Sequence, residues 1–397
     1  MNYIFISPNF PERYYKITEA LKRRGVKILV ISDAPYESFC ARLINSINHY
    51  YYADLNDYQA VCQGVEFYKT NYGPIDYIES HNEHWLQLEA ALRSEFQIGT
   101  GFQGEENDKV KSKILMKHYF KQAGIKTPRY IIPSNKLMIL NFVNEVGYPV
   151  FVKPIIGVGA SDSFAIKDEI EVDSFLEHHL KPLDEYLMEE YIDGQIVSFD
   201  GVADVDSRVV LAVQDVFLVS NADLVLKQLD DAYYANPFMD ETFHNIGRLA
   251  VKSFGIKNRF FHIEFFVLNQ DHPGLGKKGE YVAIEVNMRL PGGNTPDLMN
   301  YAASVSFYEI YADLLVYGEN REVLDHPKFY AASACRRDLH HYVHNLEAIN
   351  TQYPLLMHGR YHKTVSDDLG DEFFFYKDVS LSKVLEFIDF TLKQQDK

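Results

Sequence analysis

The chain alternates short apolar runs with amphipathic stretches from its first residues. YIFIS at 3–7 and VKILVIS at 26–32 read as buried strands, because their consecutive apolar and β-branched residues leave no polar face. Between them, Tyr14 to Arg24 repeats apolar positions at helical spacing and Gly25 supplies the break. Strand, helix, strand is a βαβ beginning. YIES at 77–80 and the helical pattern of WLQLEAALRSEF at 85–96 continue the alternation, which predicts a small parallel sheet wrapped by helices and ending near residue 106.

The pattern changes after Pro128 and Pro133. A short helical stretch to Glu145, then YPVFVKP, the loop GVGASDS and FAIK at 164–167 predict a compact α+β lid over about 128–190. YLMEEYI at 186–192, IVSFDGVAD at 196–204 and VVLAVQDVFLV at 209–219 supply short strands of an antiparallel sheet. A helix from Glu241 to Phe254, strands FFHIEFFVL at 260–268 and YVAIEVN at 281–287, and a helix from near Asp297 complete a larger α+β domain. Residues 319–397 read as a small mixed module. The chain has no internal repeat, low-complexity run or long linker. The expected fold class is therefore α/β and α+β: a Rossmann-like domain over 1–106, a two-lobed domain over 107–318 and a C-terminal α+β module over 319–397.

Composition narrows the function. At 397 residues, with 47% hydrophobic and 14% aromatic side chains, the chain is long enough for several folded modules. A net charge of −17 would repel a phosphate backbone and argues against nucleic-acid binding. Cys40, Cys62 and Cys335 form no CxxC pair and suit a reducing compartment. MNYIFISPNF lacks a basic region followed by a long apolar stretch, and no later run reaches membrane-spanning length, so a cytoplasmic protein without a membrane partner is expected. Within this acidic chain, Lys109 to Arg129 holds six Lys, one Arg and no acid. Either an anion sits beside this island, or it is a solvated helix face with Ile114, Leu115, Tyr119 and Phe120 turned inward.

The strongest chemical signal is a pair of apolar strands that each carry a carboxylate: Glu264 in one, Glu285 with Asn287 in the other. Glu285 and Asn287 are two apart and project from one sheet face, and Glu264 joins them if the strands are neighbours. Carboxylates in such surroundings need a cation, and magnesium takes hard oxygen ligands and completes its shell with phosphates and water. The alternative is half-exposed strands with solvated acids. A second element is Lys153, ending an apolar strand before a Gly-Ser turn. Gly157 and Gly159 allow close backbone approach, and Ser161 and Ser163 add hydroxyls, as a phosphate-wrapping turn requires; a plain surface turn has the same composition. The turn lacks the third glycine of a dinucleotide-binding fingerprint and the GK[ST] of a P-loop. In RLPGGNTPD, Gly292, Gly293 and Asn294 either offer donors to a carboxylate or form the turn before a helix. Glu83, at a strand-to-helix junction, either faces an acceptor amine or is an acid favoured by the helix dipole. His340 and His344 are spaced i, i+4 without an HExxH pattern, and Arg336 and Arg337 beside them read first as a solvated basic patch and second as carboxylate contacts. His178 and His179 read as surface residues.

Taken in order, these segments resemble the ATP-grasp superfamily, with its preceding Rossmann-like domain and a C-terminal module, over nearly the whole chain. NDKVKSK is similar to the segment that opens the ATP-grasp region, which implies that Lys109 meets the nucleotide phosphates. VFVKP is similar to the lid lysine, which implies that Lys153 meets the α- and β-phosphates. MEEYIDG resembles the hinge that receives adenine, implying purine contacts from Glu189, Glu190 and Ile192, partly through backbone groups. Glu264, Glu285 and Asn287 match the magnesium ligands, and Arg289 matches the arginine that contacts the reacting carboxylate. One departure stands out: Ile196 occupies a position where the family often carries a ribose-binding acid, for which Asp193 or Asp200 could substitute. The loop NQDHPGLGKKGE between the metal strands is also long for a hairpin. The resemblance implies an enzyme using ATP and magnesium, or manganese in its place, to make an acyl phosphate and join a small-molecule carboxylate to an amine, with Lys153 and Arg289 catalytic. The carbon–nitrogen ligases and the L-amino acid ligases are the branches it is most like, which implies amino-acid or peptide-like substrates. A bicarbonate- or biotin-type carboxylase, a non-catalytic nucleotide sensor and an interaction module are the alternatives. A homodimer is compatible with the tail module and the acidic surface.

Overall fold

The computed structural model describes residues 1–157, 162–219, 224, 228–361 and 370–395. Strands β1 (Asn2–Ile6), β2 (Lys27–Ser32), β3 (His49–Tyr52) and β4 (Tyr77–Glu79) form a wholly parallel sheet in the order β3-β2-β1-β4. This is the expected βαβ domain with one strand more. β3 reads HYYY, without an apolar run, and the helix Tyr58–Tyr72 that follows it starts where the Asp57 carboxylate accepts from the N–H groups of Gln59 and Ala60.

The lid is a four-stranded antiparallel sheet of β5 (Tyr130–Ile131), β6 (Val150–Pro154), β7 (Phe164–Ile166) and β8 (Tyr186–Glu190), in the order β5-β8-β6-β7. Helices Lys136–Val146 and Glu169–His178 cover it, burying Ile139, Phe142 and Phe175 against Val150, Val152 and Met188. Asn135 and Asp168 cap these helices through their side chains.

The third sheet is the frame of the molecule. It is antiparallel and runs β13-β12-β9-β10-β11-β14-β16-β15, with β9 Gly194–Ala203, β10 Val209–Phe217, β11 Asp231–Asn236, β12 Arg259–Leu268, β13 Tyr281–Asn287, β14 Tyr330–Arg336, β15 Met357–Arg360 and β16 Glu372–Asp378. The segment 319–397 thus adds three strands to the central sheet by continuous hydrogen bonding through β11 and β14. One face packs on helices Lys113–Gln122 and Glu241–Phe254 through Phe199, Phe243, Phe261 and Phe265. A side chain at Gly247 would collide with the Phe199 ring, so the helix approaches the sheet only because that position is glycine. The opposite face meets helices Thr295–Ala303 and Phe307–Tyr317 and the N-terminal domain.

A buried group of four charges fastens the N-terminal sheet to β12. Arg93 lies 2.8 Å from Glu79 and 3.0 Å from Glu89, while Arg259 pairs with Glu79 and lies 2.6 Å from Glu89. Arg259 also donates through Nε to the Met288 carbonyl at 2.8 Å, next to the end of β13. Further along, the basic cluster at 335–345 is structural. Arg336 is buried and donates to the carbonyls of Thr391 and His344, Arg337 donates to Leu229 O at 2.7 Å, and the His344 ring stacks on Phe390 at 3.6 Å. No described helix is long and apolar enough to cross a membrane.

Candidate active site

β12 and β13 are neighbours, and their register sets Glu264 opposite Glu285 and His262 opposite Asn287. The long loop between them leaves this pairing intact. The intervening Ile263 and Val286 turn the other way into the phenylalanine core, so strand periodicity alone delivers the polar groups to one face. Glu264 and Glu285 are 25% and 18% exposed, open enough to receive a ligand. The Asn287 amide nitrogen donates to Glu285 Oε1 at 3.2 Å, which leaves the amide oxygen as an acceptor.

Behind Glu264 lies a chain of buried groups. His262 reaches Glu264 Oε1 through Nε2 at 3.0 Å and Asp200 Oδ1 through Nδ1 at 2.6 Å, and the Ser198 hydroxyl donates to the other Asp200 oxygen. Burial alone would lower the pKa of His262, but Asp200 and Glu264 outweigh it and bring it up to about 10. The imidazolium then donates on both sides. Burial would raise Glu264, yet His262, Arg289 and Lys153 hold it below the ordinary carboxylate range. Asp200, candidate for a ribose contact, is fully buried and committed to His262; Asp193 accepts from Asn269 at 2.8 Å. Ile196 sits in β9 opposite Phe266.

Three buried lysines converge beside the carboxylates. Lys153 on β6 stands 2.7 Å from Glu189 on β8, and Lys117 stands 2.5 Å from the other Glu189 oxygen. One helical turn earlier, Lys113 lies 3.6 Å from Glu285 and donates to the Gly157 carbonyl at 3.3 Å, tying the helix to the lid loop. Burial would raise the Glu189 carboxyl, but Lys117 and Lys153 outweigh it and bring it down to about 2. Lys109 does not join this group: its ammonium lies over the Phe102 ring at 3.9 Å, near Tyr119 and Lys257. The helix begins at Lys113, after Ser112, so Lys113 rather than Lys109 is the lysine it brings beside Glu285. The inward helix face is Lys113, Met116, Lys117 and Phe120, while Leu115 is exposed, so the apolar phase anticipated from Ile114 and Leu115 is shifted.

Arg289 leaves the end of β13 and meets Glu83 at 2.5 Å, while Lys111 donates to the Glu83 carbonyl at 3.0 Å. Glu83 is buried in a short 3-10 turn and is thus brought to the arginine expected to hold a carboxylate. Gly292 and Gly293 follow in an open turn, and Asn294 is buried at the helix start with its amide nitrogen unpartnered among the described residues. The Glu190 side chain accepts from the Arg129 backbone N–H at 2.6 Å and from its guanidinium at 2.6–2.8 Å. Ile192 is buried with Leu268, Leu275 and Val282 in an apolar cluster beside the hinge. Gly159 and Ser161 lie outside the described residues.

Among the described residues no three His, Cys, Asp or Glu side chains form a metal site by themselves. Glu264, Glu285 and the Asn287 oxygen nevertheless offer a hard-oxygen donor set on one face, which fits magnesium if phosphates and water complete its shell. Sequence reasoning did not single out Lys113, Lys117 or His262, and it offered Asp200 only as a ribose contact, not as the partner of His262. His262 lies two residues before Glu264, on the same strand face, and Lys117 lies four after Lys113, so periodicity carried a signal for both pairs.

Residues 110–236 match the family described as ATP-grasp domain. The L-arginine-specific L-amino acid ligase of Bacillus subtilis is 24% identical over 269 residues, a match that spans 62% of this chain and 59% of that protein. The crystal structure of an L-amino acid ligase from Bacillus licheniformis superposes with a TM-score of 0.74 at 15% identity, covering 100% of this chain and 98% of that one. The biotin carboxylase domain of the 2-oxoglutarate carboxylase of Hydrogenobacter thermophilus, determined with magnesium ADP and bicarbonate, gives 0.67 at 16% identity over 96% of this chain and 87% of that one. At these identities the structural likeness establishes the fold.

Proposed function

We propose that the chain, whose residues 110–236 match the ATP-grasp domain family, is an ATP-dependent ligase that converts a carboxylate to an acyl phosphate and joins it to an amine, with amino acids as the substrate class. The observation that carries this reading is the meeting of Glu264 and Glu285 across β12 and β13 with Lys113, Lys117 and Lys153 beside them. Paired carboxylates with three buried lysines beside them suit a polyphosphate and its divalent cation. The relative from Bacillus subtilis and the neighbour from Bacillus licheniformis, both named as amino acid ligases, support the choice of substrate class.

In this reading Lys113, Lys117 and Lys153 hold the phosphates and offset the charge that would repel an incoming carboxylate. Glu264, Glu285 and Asn287 would hold magnesium, or manganese, which when bound supplies further positive charge at the phosphate oxygens. His262 orients Glu264 by donating to it while anchored on Asp200. Arg289, itself aimed by Glu83, binds the substrate carboxylate. A carboxylate oxygen attacks the γ-phosphorus and ADP leaves; the amine then attacks the acyl carbon, the bond to phosphate breaks, and the nitrogen loses a proton. The hinge backbone and Ile192 form the purine side, and Gly157, whose carbonyl accepts from Lys113, lies beside the phosphates. Gly292, Gly293 and Asn294 flank the carboxylate. Three cysteines that remain free support a place in the reducing cytoplasm.

The test is phosphate release with magnesium ATP across single amino acids, amino-acid pairs and bicarbonate, followed by mass analysis. A pair-dependent signal with a product lighter than its parts by one water is expected. Phosphate release driven by bicarbonate alone would move the protein to the carboxylases, and ATP binding without release in any mixture would make it a sensor.

A further inference from the structure

The four buried charges that fasten the N-terminal sheet to β12 are arranged in a way that fastening alone does not require. A buried ion group adds little stability over apolar packing of the same volume. Here each pole of the Glu89–Arg259 pair also holds a backbone group, and both backbone groups lead into the site. Glu89 Oε2 accepts from the Ser80 N–H at 2.5 Å, while Oε1 accepts from the Arg259 guanidinium at 2.6 Å. Through Nε, Arg259 donates to the Met288 carbonyl at 2.8 Å. Ser80 opens the loop that leads to Glu83, and the Met288 carbonyl lies in the peptide plane from which Arg289 departs. One unbroken path, Ser80 to Glu89 to Arg259 to Met288, thus joins the two segments whose side chains meet as Glu83 and Arg289.

The loop before Glu83 depends on such support. His81 has a φ of +55°, a left-handed conformation that a histidine adopts at a cost. Its carbonyl accepts from the Tyr14 hydroxyl, its Nε2 lies 3.1 Å from the hydroxyls of both Tyr3 and Tyr311, and Glu89 holds the residue before it. A strained residue persists only where its surroundings over-determine it, so loosening Glu89 lets the loop relax and moves Glu83.

Arg93 supplies the contrast. It belongs to the same four charges and touches both acids, yet its other donors go to the carbonyls of Ile78 at 2.9 Å and Phe102 at 3.1 Å, neither of which adjoins Glu83 or Arg289.

Resting on the ligase reading above, in which Arg289 binds the substrate carboxylate, we infer that Glu89 and Arg259 are positioning residues for that reaction, fixing Glu83 and Arg289 relative to each other before the carboxylate arrives. Neither touches substrate. Both are buried, and they act through the backbone groups that they hold. The nucleotide half of the site rests on Lys113, Lys117 and Lys153 and does not depend on them.

The test is steady-state phosphate release by the full chain with magnesium ATP and pairs of amino acids, in wild type, Arg259→Lys, Glu89→Gln and Arg93→Lys, with calorimetric binding of magnesium ADP as the check on folding. Lysine keeps the charge of Arg259, but a single ammonium cannot serve Glu79, Glu89 and the Met288 carbonyl as the planar fork does. Glutamine offers one acceptor oxygen where Glu89 uses two. Arg259→Lys and Glu89→Gln should each raise the KM for the amino acid that donates its carboxylate at least about tenfold, with the KM for ATP and the affinity for ADP within about twofold of wild type. Arg93→Lys should leave both KM values within about twofold. A carboxylate KM unchanged in the first two variants, raised equally in Arg93→Lys, or raised only in step with a loss of ADP affinity overturns the positioning role and leaves the ligase reading standing. A wild type that joins no pair and releases no phosphate with any of them overturns both.

Discussion

Glu189 holds two lysines that the proposed chemistry needs, and its replacement tests the electrostatics of the cleft. Glu189→Gln keeps the shape and removes the charge facing Lys117 and Lys153. The carboxyl drops from an ordinary 4.5 to about 2, and at about 1.36 kcal/mol per pH unit this amounts to about 3 kcal/mol of folding free energy. The sign follows from the depressed value: the contribution is fully present above pH 4.5 and is lost as pH falls toward 2. Urea unfolding of wild type and variant should therefore differ by about 3 kcal/mol at pH 7 and pH 5.5, with a gap that narrows below pH 4.5. Saturating magnesium ADP should narrow the gap at pH 7 as well, because phosphates replace the missing anion beside the lysines. A difference below about 1 kcal/mol at pH 7, or one that stays constant down to pH 3, would refute the reasoning.

Other consequences are equally direct. Lys113→Met should raise the KM for ATP at least about tenfold, whereas Lys109→Met should change it less than about twofold, as read by steady-state phosphate release. Arg259→Met leaves Glu79 and Glu89 to share Arg93 and should cost about 3–5 kcal/mol in denaturant unfolding. Arg336→Ala removes a charged donor from the carbonyls of Thr391 and His344 and should cost about 1.5–3 kcal/mol while leaving substrate KM values within about twofold.

The shared face of Glu264, Glu285 and Asn287 was legible because a period of two and an apolar background fix which way they point, whatever the loop between their strands does. The first βαβ unit was legible for the same reason. What escaped is what depends on distant partners. The pairing of β11 with β14 joins segments about a hundred residues apart, so nothing local shows that 319–397 continues the central sheet. The lysine island posed a harder problem: a charge on a helix reads as solvated until an acid on another element is seen to face it, as Glu189 faces Lys117 and Glu285 faces Lys113. The offset between Lys109 and Lys113 turns on where the helix begins, which Ser112 marks only weakly. Glu190 shows the same limit, since the sequence does not reveal that Arg129, 61 residues earlier, pairs with its side chain.

The central claim is that a carboxylate oxygen attacks the γ-phosphorus of ATP, and an oxygen label follows that bond. With an amino acid carrying ¹⁸O in both carboxylate positions, its amine partner and magnesium ATP in ordinary water, the released phosphate should carry one ¹⁸O, and the joined product should retain the other. Unlabelled phosphate formed together with the joined product would contradict the acyl phosphate and the role assigned to the cleft.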